Sequence, residues 1–303
     1  MLVSLIIPCY NEEKAIPFLY DELCRVTEKL GNYNFEFIFV DDGSKDRTTE
    51  VVKGYANNDL RVKYVTFARN FGKESAMYAG FCNAKGDYVA VMDADMQDPP
   101  SLLPEMLEIL EKGEYDSVAT RRVTRKGEPH LRSFFARMFY KIINRFSDAD
   151  IVDGARDFRL MSRAMADVIV DMKEYSRFSK GIYGWIGYRT YWLPYENIER
   201  VAGETKWNFW KLFKYSIDGI INFSEAPIAL PTGLSILGMI ASVIMFCIYF
   251  ATGFINNVLL ICSVLVLLFA MQTFCIGVIG KYIAKMYFEC KKRPHYTVLE
   301  TNI

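Results

Sequence analysis

Histidine is scarce in this chain, with only His130 and His295 among 303 residues, and none of the seven cysteines forms a Cys-x-x-Cys pair. A histidine-rich zinc centre or a serine–histidine triad therefore lacks its raw material, and carboxylates must do any acid, base or metal work. The cysteines (Cys9, Cys24, Cys82, Cys247, Cys262, Cys275 and Cys290) read as reduced, packed thiols. Charge of one sign is not in excess either, because Lys+Arg 36 balance Asp+Glu 36. Without a basic field there is no case for a nucleic-acid partner. Met1 to Tyr10 is apolar but has no basic residue ahead of it and runs straight into Asn11-Glu12-Glu13, so no signal peptide is expected. G-x-G-x-x-G after the first strand and G-x-x-x-x-G-K-[ST] anywhere are also missing, which removes the fingerprints of a dinucleotide fold and a P-loop.

One absence is itself a positive signal. From Ala226 to Gly280 there is no Asp, Glu, Lys, Arg or His, and a bilayer span needs about 20 apolar residues. Two such spans fit, roughly 230–254 and 258–280, joined by the short turn Gly253-Phe254-Ile255-Asn256-Asn257. Lys206, Lys211 and Lys214 precede the pair and Lys281, Lys285, Lys291, Lys292 and Arg293 follow it, while the turn has no basic residue. The positive-inside rule then predicts both termini in the cytoplasm. Between the soluble part and the first span, Phe209, Trp210, Leu212, Phe213, Ile217, Ile220, Ile221 and Phe223 share one half of a helical wheel, with Lys211, Lys214 and Asp218 opposite. This predicts an amphipathic helix in the headgroup plane, or else one packed on the domain's own core. The expected organisation is a catalytic domain over 1–205, a juxtamembrane helix over 206–225, two membrane helices over 226–281 and a basic tail over 282–303.

In the first part of the chain, residues 2–7, 35–40, 61–67 and 87–92 are short β-branched and aromatic runs, and helix-forming segments separate them. The β-α-β-α-β-α-β alternation predicts an α/β fold with a parallel sheet, whose ligands bind beyond the carboxyl ends of the strands. Those ends carry Pro8-Cys9-Tyr10-Asn11-Glu12, Asp41-Asp42-Gly43-Ser44-Lys45-Asp46, Arg69-Asn70-Phe71-Gly72-Lys73 and Asp93-Ala94-Asp95. Asp93 and Asp95, two apart just past a strand, suit one hard cation that also bridges diphosphate oxygens. A second pair, Asp148 and Asp150, has no strand ahead of it. Asp46 also suits a helix cap.

The set Pro8-x-Tyr10-Asn11-Glu12, Asp41-Asp42-Gly43-Ser44-x-Asp46 and Asp93-Ala94-Asp95-x-Gln97-Asp98-Pro99-Pro100 resembles the inverting family 2 glycosyltransferases. Within them it is most similar to the polyprenyl-phosphate hexosyltransferase branch, which includes bactoprenol glucosyltransferases and dolichyl-phosphate mannose synthases. Met96 stands where that pattern usually has Leu, and Ser101 where Glu often follows. The resemblance implies a GT-A nucleotide-diphospho-sugar transferase domain, followed by the interfacial helix and a two-helix transmembrane hairpin. It implies donor contacts from Pro8, Tyr10, Asn11, Glu12, Asp41, Asp42, Ser44, Lys73, Asp93, Ala94 and Arg121, and Mg²⁺ or Mn²⁺ on Asp93, Asp95 and Gln97. Asp157, in Arg156-Asp157-Phe158-Arg159, matches the position of a catalytic base or acceptor orienter, and could alternatively be a salt-bridged structural carboxylate. Arg200 and Lys206 match residues that grip the acceptor phosphate, and could alternatively meet anionic headgroups.

The implied reaction is transfer of one hexose, with inversion, from a nucleotide-sugar donor to polyprenyl (undecaprenyl) phosphate on the cytoplasmic side of a bacterial inner membrane. UDP-glucose is the first-choice donor, with UDP-N-acetylglucosamine, GDP-mannose and another lipid acceptor as alternatives. A catalytically silent membrane scaffold is the non-enzyme alternative. A flippase and a second transferase are expected downstream, and small residues such as Gly238, Gly277 and Gly280 would allow a homo-oligomer through the hairpin.

Overall fold

The computed structural model describes residues 1–122, 152, 154–195 and 257–303. The expected alternation is present: β1 (Leu2–Cys9), α1 (Ile16–Thr27), β2 (Asn34–Asp41), α2 (Thr48–Ala56), β3 (Val62–Phe67), α3 (Lys73–Asn83) and β4 (Tyr88–Val91). A 3-10 turn (Pro100–Leu102) leads into α4 (Leu103–Glu111), then β5 (Ser117–Arg122), β6 (Ala155–Ser162), α5 (Arg163–Asp171), α6 (Ser179–Trp185) and β7 (Thr190–Tyr195). The last elements are α7 (Asn257–Lys291) and β8 (Val298–Thr301). All eight strands join one sheet in the order β7-β5-β6-β4-β1-β2-β3-β8.

β1 sits near the middle and, apart from Ser4, which donates to Glu36, is apolar along its length because both of its faces are covered. Val3, Leu5 and Ile7 enter the core shared with α1 and α4, whereas Ile6 enters the core shared with α3 and α5. The second core brings helix and sheet so close that a Cβ on Gly80 of α3 would lie 2.1 Å from Ile6 Cγ2.

β1 pairs in parallel with β2 as far as Cys9↔Asp41, but with β4 only as far as Ile6↔Val91. The Ile6 carbonyl accepts from Met92 N–H at 3.0 Å and the Cys9 carbonyl from Asp42 N–H at 2.9 Å. Pro8 therefore faces the β4 side, where pairing has already ended, and its missing N–H costs no ladder bond. The sheet opens at this switch point between β1 and β4, where open α/β sheets place their ligands.

β6 runs antiparallel to β4 and β5 antiparallel to β6, while β7 runs parallel to β5. The amino end of β6 and the carboxyl end of β5 therefore lie at the same sheet edge as the carboxyl ends of β1 to β4. The early parallel strands and these later antiparallel ones meet at one crevice.

At the far edge, β8 pairs antiparallel with β3. Tyr296 stacks on Phe67 at 4.7 Å, and the Glu289 carboxylate near the end of α7 accepts from the Tyr175 and Ser176 N–H groups. The apolar signal ends at Gly280, but the helix runs unbroken to Lys291, and the tail then folds back as a strand. Its segment Leu267–Lys291 is long and apolar enough to cross a membrane, and Leu265, Phe269, Ile276 and Ile283 are exposed along the helix. The juxtamembrane helix, the first span and most of the connecting turn lie outside the described residues.

Gly80→Ala should cost about 1–3 kcal/mol through overpacking against Ile6. Gly54→Ala in α2, where nothing lies within 4 Å, should be neutral or stabilising by up to about 1 kcal/mol. Thermal unfolding of the two variants checks the contrast, and equal effects would count against the tight α3–β1 contact.

Candidate functional site

The strand-end loops are tied to one another before any ligand is considered. Asn11 takes a positive φ of 53°, its N–H donates to Ser44 Oγ at 2.8 Å, and its Oδ1 accepts from Lys45 N–H at 2.8 Å. Glu12 N–H donates to Thr48 Oγ1 at 2.8 Å. Asp41 accepts from Ser44 through both N–H and Oγ, and from the Thr49 hydroxyl. Asp46 accepts from Thr48 N–H at 3.0 Å, but it stands one residue before the N-cap Arg47, which has no side-chain cap bond, so the expected helix cap is not formed by it. Asp42 is 3% exposed and accepts from the Phe71 and Gly72 N–H groups at 2.6 and 2.9 Å, pinning the loop after β2 to the loop after β3. Burial pushes its carboxyl up to about 6, although those two N–H donors pull the other way. Gly43, at φ 66°, lies against the Arg69–Asn70 backbone, which a Cβ would meet at 2.5 Å.

Across the crevice, Lys73 at the start of α3 forms ion pairs with Asp93 at 2.5 Å and with Asp157. Burial lowers the Lys73 pKa, but Asp157 and Asp93 outweigh it and hold the ammonium above the ordinary lysine value. Burial also raises Asp157, yet Lys73, Lys180 and Arg156 more than offset it and keep this carboxyl well below the usual range. Asp157 is therefore ionised and a weak base. Arg156 reaches across to Asp98 at 3.1 Å and to Gln97 Oε1 at 3.3 Å, and the Tyr195 hydroxyl donates to Asp98 at 3.0 Å. Asp98 is fully buried, and its Oδ2 has no partner among the described residues.

In the loop after β4, Asp95 is buried and its Oδ1 accepts from Gln97 N–H at 3.1 Å, while Met96 takes φ 61°. A left-handed conformation at a long side chain is uncommon and costs about 1 kcal/mol or more, a kind of strain that gathers at functional sites. Asp93, Asp95 and the Gln97 carbonyl are hard oxygen donors. Among the described residues no group of three or more His, Cys, Asp or Glu stands together. Mg²⁺ and Mn²⁺ take such donors, one or two carboxylates with substrate phosphates and water completing the shell; here Asp93 is paired with Lys73 and Gln97 Oε1 accepts from Arg156.

Of the residues singled out from the sequence, Pro8, Tyr10, Asn11, Glu12, Asp41, Asp42, Ser44, Lys73, Asp93, Ala94, Asp95, Gln97, Arg121 and Asp157 lie at this sheet edge. Arg200 and Lys206 lie outside the described residues. Sequence reasoning did not single out Asp98 beyond a helix-start signal, nor Arg156, Lys180 and Tyr195. A weak signal existed for Arg156 and Asp98, since both adjoin motif residues.

Comparison with known proteins is consistent across the chain. The profile of Glycosyl transferase family 2 matches residues 4–170. A prophage bactoprenol glucosyl transferase homolog of Escherichia coli (strain K12) is 38% identical over 308 residues, covering 98% of each chain. The SfII prophage-derived bactoprenol glucosyl transferase of Shigella flexneri is 37% identical over 312 residues, covering 100% of this chain and 99% of the relative. Among solved structures, glucosyl-3-phosphoglycerate synthase from Mycobacterium tuberculosis in complex with Mn²⁺, UDP-glucose and phosphoglyceric acid has a TM-score of 0.50 at 17% identity, over 73% of this chain and 77% of that one. This last likeness shows the fold alone.

The raised Asp42 pKa gives a pH-dependent stability with a definite sign. The native state holds this proton more tightly than the unfolded chain, whose Asp titrates near about 3.9. The contribution is thus greatest below about pH 4 and is lost as pH rises through about 6. Asp42→Asn keeps an oxygen for the Phe71 and Gly72 N–H groups but does not titrate. Its melting temperature relative to wild type should therefore rise between pH 4 and 7, and a pH-independent difference would contradict the assignment.

Proposed function

The chain belongs to Glycosyl transferase family 2, and from that premise we propose that it moves one hexose from UDP-glucose to polyprenyl phosphate, with inversion, at the cytoplasmic face of a bacterial inner membrane. The observation that carries the reading is Lys73 held between Asp93 and Asp157, which on this reading would be the donor-side and the acceptor-side carboxylate. The bactoprenol glucosyl transferases matched over essentially their whole length support the acceptor class.

In this reaction an oxygen of the acceptor phosphate attacks the anomeric carbon, the bond from that carbon to the diphosphate oxygen breaks, and the nucleoside diphosphate leaves. A phosphate monoester has its second pKa near about 6, so at neutral pH the nucleophile is already largely ionised. Asp157, held ionised by Lys73 and its other cationic neighbours, then orients the acceptor rather than deprotonating it. Lys73 keeps its proton and offers a fixed positive charge beside the reacting groups. Asp93, Asp95 and Gln97 would hold Mg²⁺ or Mn²⁺, which supplies neutralisation of the negative charge that develops on the leaving diphosphate. Pro8, Tyr10, Glu12, Asp41 and Asp42 would face the base and ribose, with Arg121 near the diphosphate. Arg200 and Lys206 would meet the acceptor phosphate at the membrane surface.

Topology supports a two-span anchor. β1 and β8 belong to one sheet, so the chain starts and ends on the same side of any bilayer that α7 crosses. A second crossing would bring the chain back, and the uncharged run over 230–254 is long enough to supply it.

Radiolabel from UDP-glucose should enter a solvent-extractable lipid when purified protein, undecaprenyl phosphate and Mn²⁺ are combined, with UDP-N-acetylglucosamine and GDP-mannose tested in parallel. Asp95→Asn should cost about 10²–10³-fold in rate, as for loss of a group that stabilises leaving charge. Asp157→Asn should cost clearly less, and equal loss would count against its orienting role. Transfer from another donor would change the sugar assigned. Failure to bind any UDP- or GDP-sugar would favour a scaffold.

A further inference from the structure

A pocket of about 190 Å³ lies between β6, α6 and β7, beside the crevice. Arg156, Arg159, Lys180, Tyr183, Thr190 and Trp192 are among its lining residues, and none of its described lining residues is a carboxylate. Arg159 is 3% exposed. Its Nη1 donates to Ser117 Oγ at 3.0 Å and to Thr190 Oγ1 at 3.1 Å, and its guanidinium lies 4.5 Å from the Tyr183 ring centre and 5.4 Å from that of Trp192. Its buried Nε has no hydrogen-bond partner among the described residues. No ion pair holds it among the described residues. Arg156 is already matched by Asp98, whereas among the described residues Lys180 donates to the neutral Ala155 carbonyl alone, at 2.9 Å.

Burying a guanidinium without a counter-ion is costly, and hydroxyls and ring faces offset only part of that cost. Among the described residues Arg159 and Lys180 form no ion pair, one of them keeps an unused donor, and the carboxylate whose charge both feel, Asp157, is already engaged by Lys73. A phosphate monoester fits this surplus, because it carries about −1.5 to −2 charge at neutral pH and three strong acceptor oxygens, and arginine matches its geometry. The location fits as well. Strand residues two apart share a face, so Arg159 lies next along β6 from Asp157, which itself feels the Lys180 charge.

Resting on the acceptor class assigned above, we propose that this pocket is a phosphate monoester site, in which Arg159 and Lys180 hold the acceptor's phosphate next to Asp157. Arg200 and Lys206 would meet that phosphate first, as it enters at the membrane surface, and Arg159 and Lys180 would hold it in the position from which it reacts.

The test is calorimetric titration of the full-length chain in detergent with farnesyl phosphate and, separately, with inorganic phosphate. Arg159→Met and Lys180→Met should each weaken farnesyl phosphate binding at least tenfold while the affinity for UDP with Mn²⁺ stays within twofold. Arg159→Met removes a buried hydrogen-bonded group and can impair folding, so half-buried Lys180 carries the decision. Binding of inorganic phosphate with the same sensitivity would assign the pocket to the phosphate group itself, and binding of farnesyl phosphate alone would assign it to the lipid-linked form. Unchanged affinity for both probes in Lys180→Met would overturn the proposal. Sugar transfer with an unchanged acceptor KM in both variants would remove the pocket and leave the function standing. Loss of phosphate binding in the variants of a wild-type chain that transfers no sugar would do the reverse.

Discussion

The interaction on which the site depends is the ammonium of Lys73 held between Asp93 and Asp157. Each partner comes from a different part of the chain: the first turn of α3, the loop after β4 and the start of β6. Two carboxylates this close would repel and one would take up a proton. With Lys73 between them and Lys180 and Arg156 nearby, Asp157 stays ionised despite its burial. Lys73, with those two cations behind it, keeps Asp157 a fixed negative charge rather than a base.

The sheet explains how these three groups meet. β1 outruns β4, so the sheet opens beside Pro8. β6 enters antiparallel to β4, which turns its first residues toward the carboxyl ends of the parallel strands. Asp42 then ties the loops after β2 and β3 together from below, so that Lys73, which follows that tied loop directly, starts its helix at a defined place. The strained Met96 lies between Asp95 and Gln97 in the one loop that carries both expected metal carboxylates.

Much of this was legible in the residues. The apolar runs gave the first four strands because strands buried on both faces need no polar alternation, and the polar strand ends, Asp93 and Asp95 included, marked the crevice. The Lys73 bridge was not legible as a bridge, since it depends on β6 joining the sheet antiparallel next to β4, which no local pattern in Ala155–Ser162 specifies. The buried roles of Asp98 and Arg159 depend on the same long-range pairing. At the other end, the loss of apolar character at Gly280 marked a boundary of hydropathy but not of structure, because Lys281 and Lys285 are good helix formers and α7 continues through them. The short Val298–Thr301 run has β-type residues, yet without β3 beside it nothing identified it as a strand.

The central claim is that Lys73 and Asp157 act as a coupled pair, and a double-mutant cycle on the full-length chain tests it most directly. Lys73→Met, Asp157→Asn and the double variant would be compared with wild type by unfolding free energy in detergent. The account predicts a coupling of about 1 kcal/mol or more, with the double variant more stable than the two single losses added together. Strict additivity would show that the two charges do not depend on each other and would contradict the account.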